Sequence, residues 1–207
     1  MIKWVVFDLG DVVLRSTSAL PELAALLGVA PDRFDEAYFA HRRQYDLHTD
    51  PAQFWTAVAV DSGATAPGGA LIEELVRADD LGWSTTDPDT MTLIDDLGRS
   101  PGTLLAVLSN APSSMGRLIR TQAWSSRFQH LLFSGDLGLV KPDPRIYRAL
   151  VDQLAGAPDG PVEPVEVAFL DDRADNIAGA IEVGIHGFVF TGAAQARADL
   201  RTLGLRV

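Results

Sequence analysis

The chain contains no cysteine, which excludes a disulfide framework and any thiolate metal site. Lysine is almost absent. Of 17 basic side chains only Lys3 and Lys141 are lysines; the rest are arginines. Against 28 acidic side chains this gives a formal net charge of −11, so a broad basic surface is lacking. Nucleic acid and anionic membrane are therefore not expected as partners, although a small anion in a locally positive pocket remains compatible. No apolar run approaches the length that spans a bilayer. The first run, Ile2 to Phe7, is too short for a secretory segment and leads straight into Asp8. The expectation is a soluble, cytoplasmic protein, monomer or homodimer. A length of 207 residues suits one domain, or one domain with an insertion.

What is present is an alternation of short apolar runs with helix-period segments. Strands are predicted at Ile2–Phe7, Thr103–Leu108, His130–Phe133, Val165–Leu170 and Gly187–Phe190. Helices are predicted at Pro112–Gln122, Asp143–Leu154 and Ala174–Val183. Strand alternating with helix implies an α/β fold, a Rossmann-like parallel sheet wound on both faces. The region 16–82 differs. It holds no clear strand and four helix-like stretches, Leu20–Leu27, Asp32–Tyr45, Pro51–Val60 and Ala70–Ala78. An all-helical block after the first strand reads as an inserted cap, leaving 1–15 and 83–207 as the core. The alternative is that these helices belong to the packing layer of a single domain.

In a parallel sheet, ligands bind at the carboxyl ends of the strands. The residues that fall there are Asp8, then Ser109-Asn110, then Lys141 after the loop that begins at Ser134, then Asp171-Asp172. Each has a bland reading as a cap, a helix start or a solvated charge. Together they place three carboxylates, a hydroxyl and an ammonium at one edge of one sheet. Those groups suit phosphoryl transfer. A carboxylate can attack phosphorus, lysine is a compact charge for phosphate oxygens, and oxygen ligands without His or Cys suit Mg²⁺.

FDLGDVVL, LSN, KPDP and FLDDRADN, in that order, resemble the motifs of the haloacid dehalogenase-like hydrolase superfamily. The longer strings SGDLGLVKPDPRIYRAL and FLDDRADNIAGAIEVGI are most similar to bacterial α-D-glucose-1-phosphate phosphatases and the phosphatase domain of soluble epoxide hydrolases. The resemblance implies a Mg²⁺-dependent phosphatase of a small phosphorylated metabolite such as a sugar 1-phosphate, with an α-helical cap. It implies Asp8 as nucleophile and metal ligand, and a backbone carbonyl of Gly10 on the metal. Ser109 and Asn110 would hold the phosphoryl group, and Lys141 would pair with the nucleophile and phosphate. Asp172 would be the direct metal ligand and Asp171 would act through water, with Asp175 and Asn176 orienting that loop.

Position 10 departs from the superfamily pattern, in which its side chain is the acid that protonates the leaving group. Asp11 stands one residue late. On an extended segment adjacent side chains point to opposite sides, so Asp11 reaches the same place only if the chain bends, which a glycine at 10 permits. A metal-independent 2-haloacid dehalogenase also lacks that acid, but the Asp171-Asp172 pair argues against it. A non-catalytic phosphate-binding or scaffold protein is the third reading. In the cap, His41, Arg42, Arg43, Tyr45 and His48 cluster at one helix end. They are either substrate contacts, with Arg42 and Tyr45 the candidates, or a solvated helix end. Phe54 and Trp55 read as cap core.

Overall fold

The structure, a computed structural model, describes residues 1–15, 19–47, 50–156 and 161–207; His48 lies outside the described residues. The first strand, β1 (Trp4–Phe7), is followed by four helices, α1 (Ala19–Leu27), α2 (Pro31–Tyr45), α3 (Pro51–Ser62) and α4 (Gly69–Gly82). Then come α5 (Pro88–Gly98), β2 (Leu104–Ser109), α6 (Ser113–Thr121), β3 (His130–Phe133), the one-turn α7 (Ser134–Leu137) and α8 (Pro144–Ala155). The chain ends with β4 (Val167–Asp171), α9 (Ala174–Glu182), β5 (His186–Val189) and α10 (Ala193–Thr202).

All strand pairs are parallel, in the order β3-β2-β1-β4-β5. The strands read as continuous apolar runs because both faces of the sheet are covered. Their period of two sends alternate residues to opposite sides. Val5, Phe7, Leu105, Val107, Ala168 and Leu170 enter one core, packed with residues of α5, α6 and α10. Trp4, Val6, Ala106, Leu108, Val167 and Phe169 enter the other, beneath α8 and α9. The fold is therefore the doubly wound sheet. Since β1 is central and Phe7 lies in register with both Val107 and Leu170, the carboxyl ends of β1, β2 and β4 lie together.

An aspartate-proline pair opens three helices. Asp50, Asp87 and Asp143 accept hydrogen bonds from the N–H groups of Ala52 at 2.7 Å, Thr90 at 2.9 Å and Arg145 at 2.9 Å. The proline after each has no N–H to leave unpaired in the first turn. The α1–α4 block has a core of its own, in which Phe34, Tyr38, Phe54, Trp55, Val58 and Leu75 are buried.

Helices α5 and α10 go beyond the sequence reading. Asp87-Pro88 marks the start of α5, but α10 carries only Ala196 and Leu200 as buried residues, too few to announce an apolar face. Ser134–Leu137, read as loop, closes into one helical turn. Strand ends shift by one or two residues, and Pro164–Glu166, partly assigned to β4, is a 3₁₀ turn. Among the described residues no helix is long and apolar enough to cross a membrane.

Candidate active site

The centre is built around Lys141, whose side chain has no exposed surface. An ammonium has three hydrogens to place, and the chain provides three acceptors. They are Asp8 Oδ1 at 2.9 Å, Asp171 Oδ2 at 2.6 Å and the carbonyl of Leu108 at 3.0 Å. Burial alone would lower the ammonium's pKa, but Asp8 and Asp171 outweigh it and raise it further. Asn110 fixes the loop that delivers the lysine. Its Nδ2 donates to the Lys141 carbonyl at 3.0 Å and its Oδ1 accepts from the Lys141 N–H at 2.8 Å. Both halves of the amide are thus spent on the backbone of the 141 loop. Gly179 of α9 lets that loop come close, since a Cβ there would stand 2.5 Å from the Pro142 carbonyl oxygen.

Asp171 is fully buried and saturated. Besides Lys141 it accepts from Asn176 Nδ2 at 2.9 and 3.0 Å and from the Arg173 N–H at 2.9 Å. Tyr147 in turn donates to the Asn176 carbonyl at 2.6 Å. Asp172, the next residue, is exposed at the mouth. Its pKa is raised by partial burial and by repulsion from Asp171 and Asp11. Asp8 hangs from the end of β1, with the Leu9 N–H on its Oδ1 at 2.7 Å. Burial raises its pKa, Lys141 counters this, and Asp171 adds to the rise. Oxygens of Asp8, Asp171 and Asp172 can all lie within 4.8 Å of one another, a spacing that suits a shared cation.

Asp8, Lys141, Asp172 and Asn176 line a cavity of about 250 Å³ that also takes in Ser109, Asn110, Gly10 and Asp11, with Asp171 buried behind it. Ser109 is buried at the end of β2. Asp175 follows Arg173-Ala174 on the exposed first turn of α9. The bend near position 10 falls one residue later than expected. Asp11, not Gly10, has the positive φ, 53°, which an aspartate tolerates better than most side chains. Gly10 is instead bridged to Leu14.

The helical block contributes Tyr38, Phe39, Arg42 and Asp46 to the same cavity. Of the described residues singled out there by sequence, only Arg42 lines it. Arg42 is held by its own block, with Nε on Asp46 Oδ1 at 2.9 Å, Nη1 on Asp79 Oδ2 at 3.2 Å and Nη1 against the Tyr38 hydroxyl. Tyr45 is not brought to this cavity; its ring stacks on Phe54 at 4.1 Å in the block's core. His41 pairs with Asp61 at 2.7 Å at the surface. Trp83, Phe39, Met115 and Arg173 line the cavity without having been anticipated. Only Arg173, inside FLDDRADN, carried a signal in the sequence.

Comparison with known proteins agrees with this architecture. Over 70 residues the chain is 40% identical to flavin mononucleotide hydrolase 1 of Arabidopsis thaliana, covering 34% of this chain and 26% of that protein. It is 29% identical to a phosphatase of Mycobacterium tuberculosis over 143 residues, 66% of this chain and 63% of that one. In both cases the match spans less than two thirds of the relative's length. Among solved structures, a Bacteroides thetaiotaomicron enzyme in complex with magnesium and inorganic phosphate superposes with a TM-score of 0.70 at 19% identity, covering 93% and 96% of the two chains. The L-2-haloacid dehalogenase of Xanthobacter autotrophicus superposes with a TM-score of 0.71 at 21% identity, covering 97% and 83%. The family model described as haloacid dehalogenase-like hydrolase matches residues 2–184, and the chain belongs to that family of hydrolases.

Proposed function

We propose that the chain is a Mg²⁺-dependent phosphatase of a small phosphorylated metabolite, with Asp8 as the nucleophile. The observation that carries the reading is the charge balance at the strand ends. Three carboxylates converge there within 4.8 Å, and the one ammonium among them is already divided between Asp8 and Asp171. A pocket short of positive charge, with an oxygen-only donor set, fits Mg²⁺. Asp8, Asp172 and the backbone carbonyl of Gly10 would hold the ion, with Asp171 behind them. Bound there, it would offset the charge of the phosphoryl group as that group is transferred.

The chain's own residues account for the rest. Lys141 holds Asp8 in place, Asn110 holds the loop that carries Lys141, and Asn176 holds the Asp171 carboxylate. Ser109, at the floor of the cavity, is assigned to the phosphoryl oxygens. An Asp8 oxygen attacks phosphorus, the bond from phosphorus to the leaving oxygen breaks, and its electron pair departs with that oxygen. Water then attacks the phosphorus of the aspartyl-phosphate, releasing inorganic phosphate and restoring the carboxylate. We assign the α1–α4 block, within 16–82, as a cap over the core of 1–15 and 83–207, excluding bulk water during the reaction.

Without a side chain at position 10 the best substrates are those whose leaving oxygen needs little protonation, such as a sugar 1-phosphate. The phosphatase among the relatives, and the neighbour solved with magnesium and phosphate, support the class of reaction. A dehalogenase reading is favoured by Gly10 and by the Xanthobacter neighbour, and opposed by the Asp171-Asp172 pair. Phosphate release from sugar and acyl phosphates, with Mg²⁺ and with chelator, separates the two. Asp8→Asn is expected to cut turnover by about a thousandfold or more while the protein stays folded. Retention of more than a tenth of the activity would remove Asp8 from the role.

A further inference from the structure

The cavity has a polar floor and an aromatic wall. Trp83 follows the last turn of α4, where the chain returns from the helical block to the sheet. A Cβ placed on residue 10 would lie 3.4 Å from its ring carbon Cζ3. The indole therefore stands against the spot from which a longer side chain at 10 would reach the leaving group. Phe39 enters from α2. Its ring is edge-on to Tyr38 at 5.2 Å and 89°, and it remains 61% exposed, the most exposed large apolar side chain after Met1. Met115, nearly buried, completes the apolar lining. Among the described residues of the helical block, the cation that lines the cavity, Arg42, is tied to Asp46, Asp79 and Tyr38. An exposed phenyl ring and a half-buried indole lining the same cavity as Asp8 and Asp172 offer a surface for a flat apolar face.

We propose that Trp83 and Phe39 form the leaving-group subsite, and that the substrate is a phosphate ester whose leaving group lays a flat, apolar face on these rings. The proposal rests on the phosphatase reading and narrows it. It also joins two features that sequence leaves separate. Gly10 removes a proton donor at a position whose Cβ would touch the indole, so a leaving group stacked on Trp83 departs without that proton. Two kinds of compound share this chemistry, an aryl phosphate and a sugar 1-phosphate whose ring presents its C–H face.

The test uses the full chain with Mg²⁺ and three probes: phenyl phosphate, glucose 1-phosphate and acetyl phosphate. Acetyl phosphate has a weakly basic leaving group and no ring to stack. Trp83→Ala and Phe39→Ala are expected to lower kcat/KM for phenyl phosphate or glucose 1-phosphate, relative to that for acetyl phosphate, by about tenfold. The change should lie mainly in KM, and the ring-bearing probe that responds identifies the class. Phe39 is exposed, so Phe39→Ala carries the test alone should Trp83→Ala fail to fold. If neither ratio moves in a folded variant, the subsite assignment is overturned while the phosphatase reading stands. If the wild-type protein cleaves none of the three probes, the phosphatase reading falls and the subsite proposal with it.

Discussion

Asp171 and Asp172 are adjacent in sequence and opposite in situation, and their variants should separate accordingly. Asp171 is buried with Lys141, Asn176 and the Arg173 N–H on its oxygens, whereas Asp172 faces the mouth. Without Asp171 the Lys141 ammonium keeps Asp8, but the buried Asn176 amide loses its acceptor, and a buried polar group left unsatisfied typically costs about 1–3 kcal/mol. Asp171→Ala is therefore expected to lower stability substantially in denaturant unfolding. Asp172→Ala should leave stability nearly unchanged and shift the Mg²⁺ dependence of activity to higher concentration. The opposite pattern would mean the pair is assigned backwards. At position 10, a Cβ would already be in contact with the Trp83 ring. Gly10→Asp alone should change the preference for glucose 1-phosphate over glucose 6-phosphate little. Paired with Trp83→Ala it should narrow that preference, up to roughly the hundredfold of a restored general acid. Turnover of both substrates by the single and double variants checks this.

Among elements, α2 ties the helical block to the site through Arg42. The guanidinium is largely buried against Tyr38, Asp46 and Asp79; burial opposes its charge, but Asp46 and Asp79 outweigh this and raise its pKa. Arg42→Ala leaves two buried carboxylates without their cation, so a loss of about 3–5 kcal/mol in unfolding free energy is expected. A variant that keeps its stability and loses substrate affinity would show that Arg42 serves the substrate instead. The block is also fastened to the sheet at Ser134, at the start of α7. Its buried hydroxyl donates to the Asp46 carbonyl at 2.6 Å and accepts from the Ala111 N–H at 3.0 Å. One hydroxyl thus links the end of α2 to the loop that follows Ser109 and Asn110.

At the scale of the whole molecule, the helical block and the sheet layer also meet where α4 lies against α6. Ser114 of α6 donates to Asp80 Oδ1 at 3.2 Å. Burial and the neighbouring Asp79 push the Asp80 carboxyl up to about 7 from an ordinary 3.8. Between these values the folded protein holds a proton that the unfolded chain has released. Asp80 therefore costs no stability below about pH 4, and its cost grows as pH rises, reaching its full value above about pH 7. Asp80→Asn is expected to raise the melting temperature at pH 8 and to leave it unchanged near pH 4. An equal effect at both pH values would mean that burial does not perturb Asp80.

The strand-end groups were legible because they are written locally. An apolar run must end in a polar residue where a buried strand meets solvent, and Asp8, Ser109 and Asp171-Asp172 stand at such ends. The sheet's two-sided cover was legible for the same reason, since strands buried on both faces lose polar alternation. Sequence alone thus determined the fold class and the residues that belong to the carboxyl edge of the sheet. Only the tertiary structure decided how they divide their work: that Lys141 spends all three hydrogens, that Asn110 braces a loop, and that Arg42 is bound to Asp79, 37 residues away. The aromatic wall belongs to this second class. Phe39 and Trp83 lie on opposite sides of two intervening helices, and no local pattern distinguishes them from core aromatics such as Phe54. They line one cavity only because the helical block folds over the sheet, and that placement arises from packing between segments distant in sequence.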